Sequence, residues 1–130
     1  MRSTVLLIED NPQNRYLATY LLERRGYTVV AAASGPLGIE MATTLAPDMI
    51  LLDIQLPAMD GYTVAQALRR LESLQGTPIV AVTSYAMAGD REKALAAGCD
   101  GYIEKPIDPV LFVDQIAAHA RRQPRSEDSP

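Results

Sequence analysis

Four apolar runs in this chain end on residues that carry chemistry, and that pattern restricts the fold more than any other feature. TVLLI leads into Glu9 and Asp10, DMILL into Asp53, IVAV into Thr83, and GYIE into Lys105. The runs are short and rich in branched apolar residues, as strands buried on both faces are. In a parallel sheet the C-terminal ends of the strands share one edge, and ligands bind in the crevice outside them. Residues far apart in sequence then converge on one site holding three carboxylates, one ammonium and one hydroxyl. Three ionised carboxylates do not sit together without a cation, and a set of oxygen ligands suits Mg2+ or Ca2+.

The segments between these runs read as helices. Asn11 and Pro12 form an N-cap and a first helical residue, followed by Leu17, Leu21 and Leu22 on one side and Arg15, Glu23 and Arg24 elsewhere, with a stop at Gly26. Residues 27–32 are a second strand, and Ser34 caps a helix over 36–45. Residues 49–52 form the third strand, and Pro57 to Gly61 are loop chemistry. A helix over 62–74 places Val64, Leu68 and Leu71 inward. The fourth strand covers 79–82, and a helix near 90–97 ends at Gly98. The fifth strand covers 101–104, and Asp108 caps a last helix over 109–121 with Leu111, Ile116 and Ala120 among its apolar positions. Strands alternating with helices make an α/β protein with helices on both faces of a parallel sheet. Periodicity alone does not give the strand order. The flavodoxin-like (βα)5 doubly wound sheet has the order 2-1-3-4-5, which sets Asp10 and Asp53 beside its switch point.

Composition bounds the function. The 130 residues fit one domain: residues 1–122 are the folded part, and the polar QPRSEDSP, 123–130, is a flexible tail. A net charge of −4 and the lack of a basic stripe argue against direct nucleic-acid binding. No signal peptide and no membrane-length apolar run are visible, and Cys99 is the only cysteine. These features read as cytoplasmic, with no membrane partner. Cys99 reads as a packing residue and His119 as a surface one.

Taken in order, IED (Glu9, Asp10), LLDIQLPAMDG (Asp53, Pro57, Gly61), VTS (Thr83) and YIEKPI (Lys105, Pro106) give the chain a close resemblance to the receiver domain of two-component response regulators. The resemblance spans residues 4 to about 120. It implies a signalling domain rather than an enzyme, one that assists its own phosphorylation and slow dephosphorylation. Asp53 is then the phosphoacceptor, taking its phosphoryl group from a histidine kinase or a histidine phosphotransfer protein. Mg2+ is held by Glu9, Asp10, Asp53 and the backbone carbonyl of Gln55. Lys105 reaches the carboxylate and then a phosphoryl oxygen. Thr83 donates its hydroxyl, and Tyr102 turns inward from a solvent-facing rotamer as Thr83 moves. Pro106 is placed where receivers carry a cis peptide. Gln55 and Tyr85 stand where the family tunes the rate of phosphoryl loss, and Ser84 replaces a frequent alanine. The output surface is the fourth helix, fifth strand and fifth helix, met by a downstream protein target; a homodimer stays open.

EDNPQNRYLATYLLERRGY resembles stand-alone and hybrid-kinase receivers, and the short tail favours the stand-alone form over a fragment of a hybrid histidine kinase or multidomain regulator. Two other classes fit poorly. A haloacid-dehalogenase-type phosphatase needs a second aspartate two residues after the first, where Gln55 stands. A flavodoxin-like electron carrier needs a hydroxyl- and glycine-rich phosphate loop after the first strand, where EDNPQNR would repel a phosphate. A degenerate receiver is disfavoured because no key residue is missing.

Overall fold

The computed structural model describes residues 3–57, 59–83, 89–105 and 107–121. Pro106, Ser84, Tyr85 and the tail over 123–130 therefore lie outside the described residues.

The strands are β1 (Thr4–Ile8), β2 (Thr28–Ala32), β3 (Met49–Asp53), β4 (Ile79–Thr83) and β5 (Gly101–Glu104). They form one parallel sheet in the order 2-1-3-4-5. Burial follows from that order. The inner strands β3 and β4 are buried at every position, and β1 at all but its first residue. Edge strands β2 and β5 mix buried and exposed positions, which is why β2 can carry Thr and Ala.

Alternate residues of each inner strand feed opposite faces. Leu6, Ile8, Ile50, Leu52, Ile79 and Ala81 pack under α2 (Gly35–Leu45), α3 (Gly61–Arg70) and α4 (Asp90–Ala96). Val5, Leu7, Met49, Leu51, Val80 and Ile103 pack under α1 (Pro12–Arg24) and α5 (Phe112–Arg121), meeting Leu22, Phe112 and Ile116.

The helix starts are set by side-chain caps. Asn11 accepts from the Asn14 N–H at 3.0 Å, Ser34 from Leu37 at 3.3 Å and Asp60 from Thr63 at 3.0 Å. Such a cap satisfies an amide that the helix itself leaves unpaired.

Two helix boundaries differ from the sequence expectation by more than one residue. The helix expected over 62–74 ends at Arg70, because Leu71 turns to an extended backbone (φ −74°, ψ 126°) and a separate 3-10 turn, Glu72–Leu74, follows. Arg69 secures that break by donating to the carbonyls of Leu74, Gln75 and Thr77. The last helix begins at Phe112 rather than residue 109. Asp108 Oδ1 accepts from the amides of Val110 (2.9 Å) and Leu111 (3.3 Å), and this side-chain turn delays the helix. Leu111 is consequently half exposed, and Phe112, Val113 and Ile116 supply the buried face. His119 also departs from its surface reading: a Cβ on Gly101 would come within 2.5 Å of its ring.

Candidate functional site

Sheet register assembles the site. Ile8 pairs with Leu52 and Asp53 with Val82, so Glu9 and Asp10 leave β1 beside the end of β3. Thr83 pairs with Glu104, and the Lys105 amide donates to the Thr83 carbonyl at 2.7 Å. The carboxylates of Glu9, Asp10 and Asp53 each place an oxygen within 4.8 Å of the others. Glu9 and Asp53 are each only 4% exposed and Thr83 1%; Asp10 is half-buried.

Lys105 spans two of the acids. Its Nζ donates to Glu9 Oε1 at 3.1 Å and lies 3.4 Å from Asp53 Oδ2. The second oxygen of Asp53 accepts from the Gln55 amide at 3.0 Å, and Glu9 Oε2 from the Asn11 amide at 3.2 Å. Asp10 accepts no side-chain hydrogen bond among the described residues. The Gln55 side-chain amide donates to the Thr83 hydroxyl, tying the loop after β3 to the end of β4.

Burial pushes the Asp53 carboxyl up from 3.8 to about 6, and the hydrogen bond and charge of Glu9 push the same way. The Gln55 amide and Lys105 oppose that rise without cancelling it. One ammonium therefore under-compensates the acids. A proton or a hard divalent cation relieves that surplus, and the half-exposed Asp10 carboxylate leaves the cluster open to a cation. The residues fit Mg2+ on both counts: an all-oxygen donor set and a surplus of negative charge.

The expected aromatic, Tyr102, is differently placed. Its ring packs against the core cluster under α2, α3 and α4, and its hydroxyl is buried without a hydrogen-bond partner among the described residues. The residue as a whole is half-buried, with the hydroxyl end turned away from solvent. The Arg91 guanidinium carbon lies 5.7 Å from the ring centroid, and the Tyr62 hydroxyl donates to Asp90 Oδ1 at 3.4 Å. Sequence reasoning missed Tyr62, Asp90 and Arg91, because no local pattern signals a contact between α3, α4 and β5. It also left Arg15 as an ordinary polar position, although a cation in the first turns of a helix opposes the helix dipole and so signals another role. Cys99 is buried and its thiol is pushed up to about 12 by that burial, as suits a packing residue.

The family model for the response regulator receiver domain matches residues 5–117. The chain belongs to this family. A curated relative, the polar-differentiation response regulator DivK of Brucella ovis, is 39% identical over 92% of this receiver and 97% of its own length. Among solved structures, a CheY-like receiver domain protein from Methanospirillum hungatei superposes with a TM-score of 0.87 at 28% identity, covering 95% of this chain and 97% of that one. The receiver domain of a sensor histidine kinase from Pseudomonas aeruginosa is 33% identical with a TM-score of 0.82, covering 95% and 98%; it is described with a magnesium ion coordinated in its active-site cleft. The fold of this receiver is that of its neighbours, and none of its described helices is long and apolar enough to cross a membrane.

Proposed function

We propose that the receiver accepts a phosphoryl group on Asp53 from a phosphohistidine of a histidine kinase or histidine phosphotransfer protein, with Mg2+ held by Glu9, Asp10, Asp53 and the Gln55 carbonyl. The observation that carries this reading is the three-carboxylate cluster bridged by Lys105 at the sheet switch point. In the reaction one Asp53 carboxylate oxygen bonds to phosphorus as the phosphorus–nitrogen bond of the donor breaks, and the imidazole leaves and takes a proton. Mg2+, when bound, keeps the carboxylates ionised and offsets charge on the phosphoryl oxygens. Lys105 already points its ammonium at Asp53 and Glu9, so it needs little movement to meet a phosphoryl oxygen. Thr83 lies next to it at the end of β4 and donates its hydroxyl to another. Pro106, following Lys105, would aim that side chain.

Phosphorylation then biases α4, β5 and α5 through Thr83 and Tyr102, and a downstream protein target reads that surface. Because Tyr102 is already inward, the bias would act by stabilising this arrangement against an outward one. The match to DivK over nearly its full length favours a regulator of that kind. The hybrid-kinase reading is favoured by the Pseudomonas neighbour. The test is transfer from a phosphorylated histidine phosphotransfer domain. Label should leave the donor and appear on this chain with Mg2+ and not in excess EDTA; label retained on every donor tried, or transfer unaffected by EDTA, would contradict the proposal.

A further inference from the structure

Arg15 stands on the fourth residue of α1, where its charge opposes the helix dipole. The residue is half-buried, and its guanidinium reaches back over the turn between β1 and α1. Nη1 donates to the Glu9 carbonyl at 3.0 Å and to the Asp10 carbonyl at 3.0 Å. One nitrogen with two hydrogens thus holds the two successive peptides that carry the acid pair. Among the described residues Arg15 makes no ion pair with the three carboxylates, so it leaves their oxygens to a cation. The turn between β1 and α1 is also tied by the Glu9 amide on the Ala32 carbonyl at 3.0 Å, the Asn11 amide on Glu9 Oε2 at 3.2 Å and the Asn11 cap, but Arg15 supplies the side-chain bonds to both acid-pair carbonyls.

We infer that Arg15 is a positioning residue for the cation site: it fixes the peptide planes of Glu9 and Asp10 so that their carboxylates meet Asp53. The inference rests on the proposed Mg2+ site. A guanidinium suits the task because its planar donors have fixed directions, whereas a lysine ammonium carries the charge on a flexible stem without that geometry. Groups that orient metal ligands from behind typically change affinity ten- to a hundredfold when removed.

The test is Mg2+ titration followed by amide chemical shifts, on the native chain and on Arg15→Ala and Arg15→Lys, with the melting temperature of each measured in EDTA. Arg15→Ala should weaken Mg2+ binding about tenfold, and Arg15→Lys should restore only part of it. Mg2+ affinity within twofold of native in Arg15→Ala, whatever its melting temperature, makes Arg15 a purely structural residue and overturns the inference. If Arg15→Ala does not fold, Arg15→Lys decides: several-fold weaker binding supports the inference and native affinity overturns it. A native chain that binds no Mg2+ overturns the proposed site, and this inference with it; a native chain that binds normally beside unaffected variants overturns the inference alone.

Discussion

At the residue scale, Asp53 is held in conflict. Its carboxyl is pushed up to about 6, chiefly by burial and then by Glu9. Between its unfolded value near 3.8 and about 6, the folded chain binds more protons than the unfolded one, so this group makes stability fall as pH rises through that window. Asp53→Asn should therefore melt above the native chain at pH 7.5 in EDTA, and the gap should close below pH 4. Saturating Mg2+ should narrow or reverse the gap at pH 7.5, because the cation favours the ionised carboxylate in the native site. A variant that melts lower than the native chain at every pH in EDTA would mean that Asp53 carries no such strain. Tyr102 gives a second residue-scale expectation. Its buried hydroxyl lacks a partner among the described residues, so Tyr102→Phe should leave stability unchanged or raise it, as read by urea unfolding. Asp53, Asp10, Glu9, Thr83 and Lys105 were legible in sequence because each ends an apolar run. The inward seat of Tyr102 was not, since its ring meets residues of α4 that come from another part of the chain.

At the element scale, α3 is bound to the loop that follows Asp53. A Cβ on Gly61 would lie 2.5 Å from the Ile54 Cα and 2.8 Å from the Asp53 carbonyl oxygen, both backbone atoms that cannot step aside. Gly61→Ala should cost about 1–3 kcal/mol or more in urea unfolding and shift the Asp53 and Gln55 amides. Unchanged stability would mean that the loop yields easily. The strand runs were readable because burial on both faces leaves unbroken apolar stretches. The ends of α3 and α5 were not. Apolar periodicity continues through Leu71 and Leu74, and what stops α3 is Arg69 donating to carbonyls up to eight residues on. Likewise, Asp108 binding two amides of its own turn delays α5, a choice between turn and helix that the residue type alone leaves open.

At the scale of the whole molecule, five parallel strands bring five loops to one edge, four of them bearing the site residues, and the acid cluster is the product of that topology rather than of any one segment. The doubly wound class followed from alternation of strand and helix, whereas strand order rested on knowledge of such folds. Binding of a cation by the native state alone should stabilise the entire domain by mass action, about 1.4 kcal/mol at tenfold excess over the dissociation constant. The central claim is that Asp53 is the acceptor in a Mg2+-dependent site. The most direct measurement is to treat the chain with acetyl phosphate, trap the acyl phosphate by borohydride reduction and locate the modified residue by peptide mass spectrometry. The account predicts modification at Asp53 with Mg2+, none in excess EDTA and none in Asp53→Asn. Modification at another residue, or of Asp53→Asn at the native rate, would contradict it.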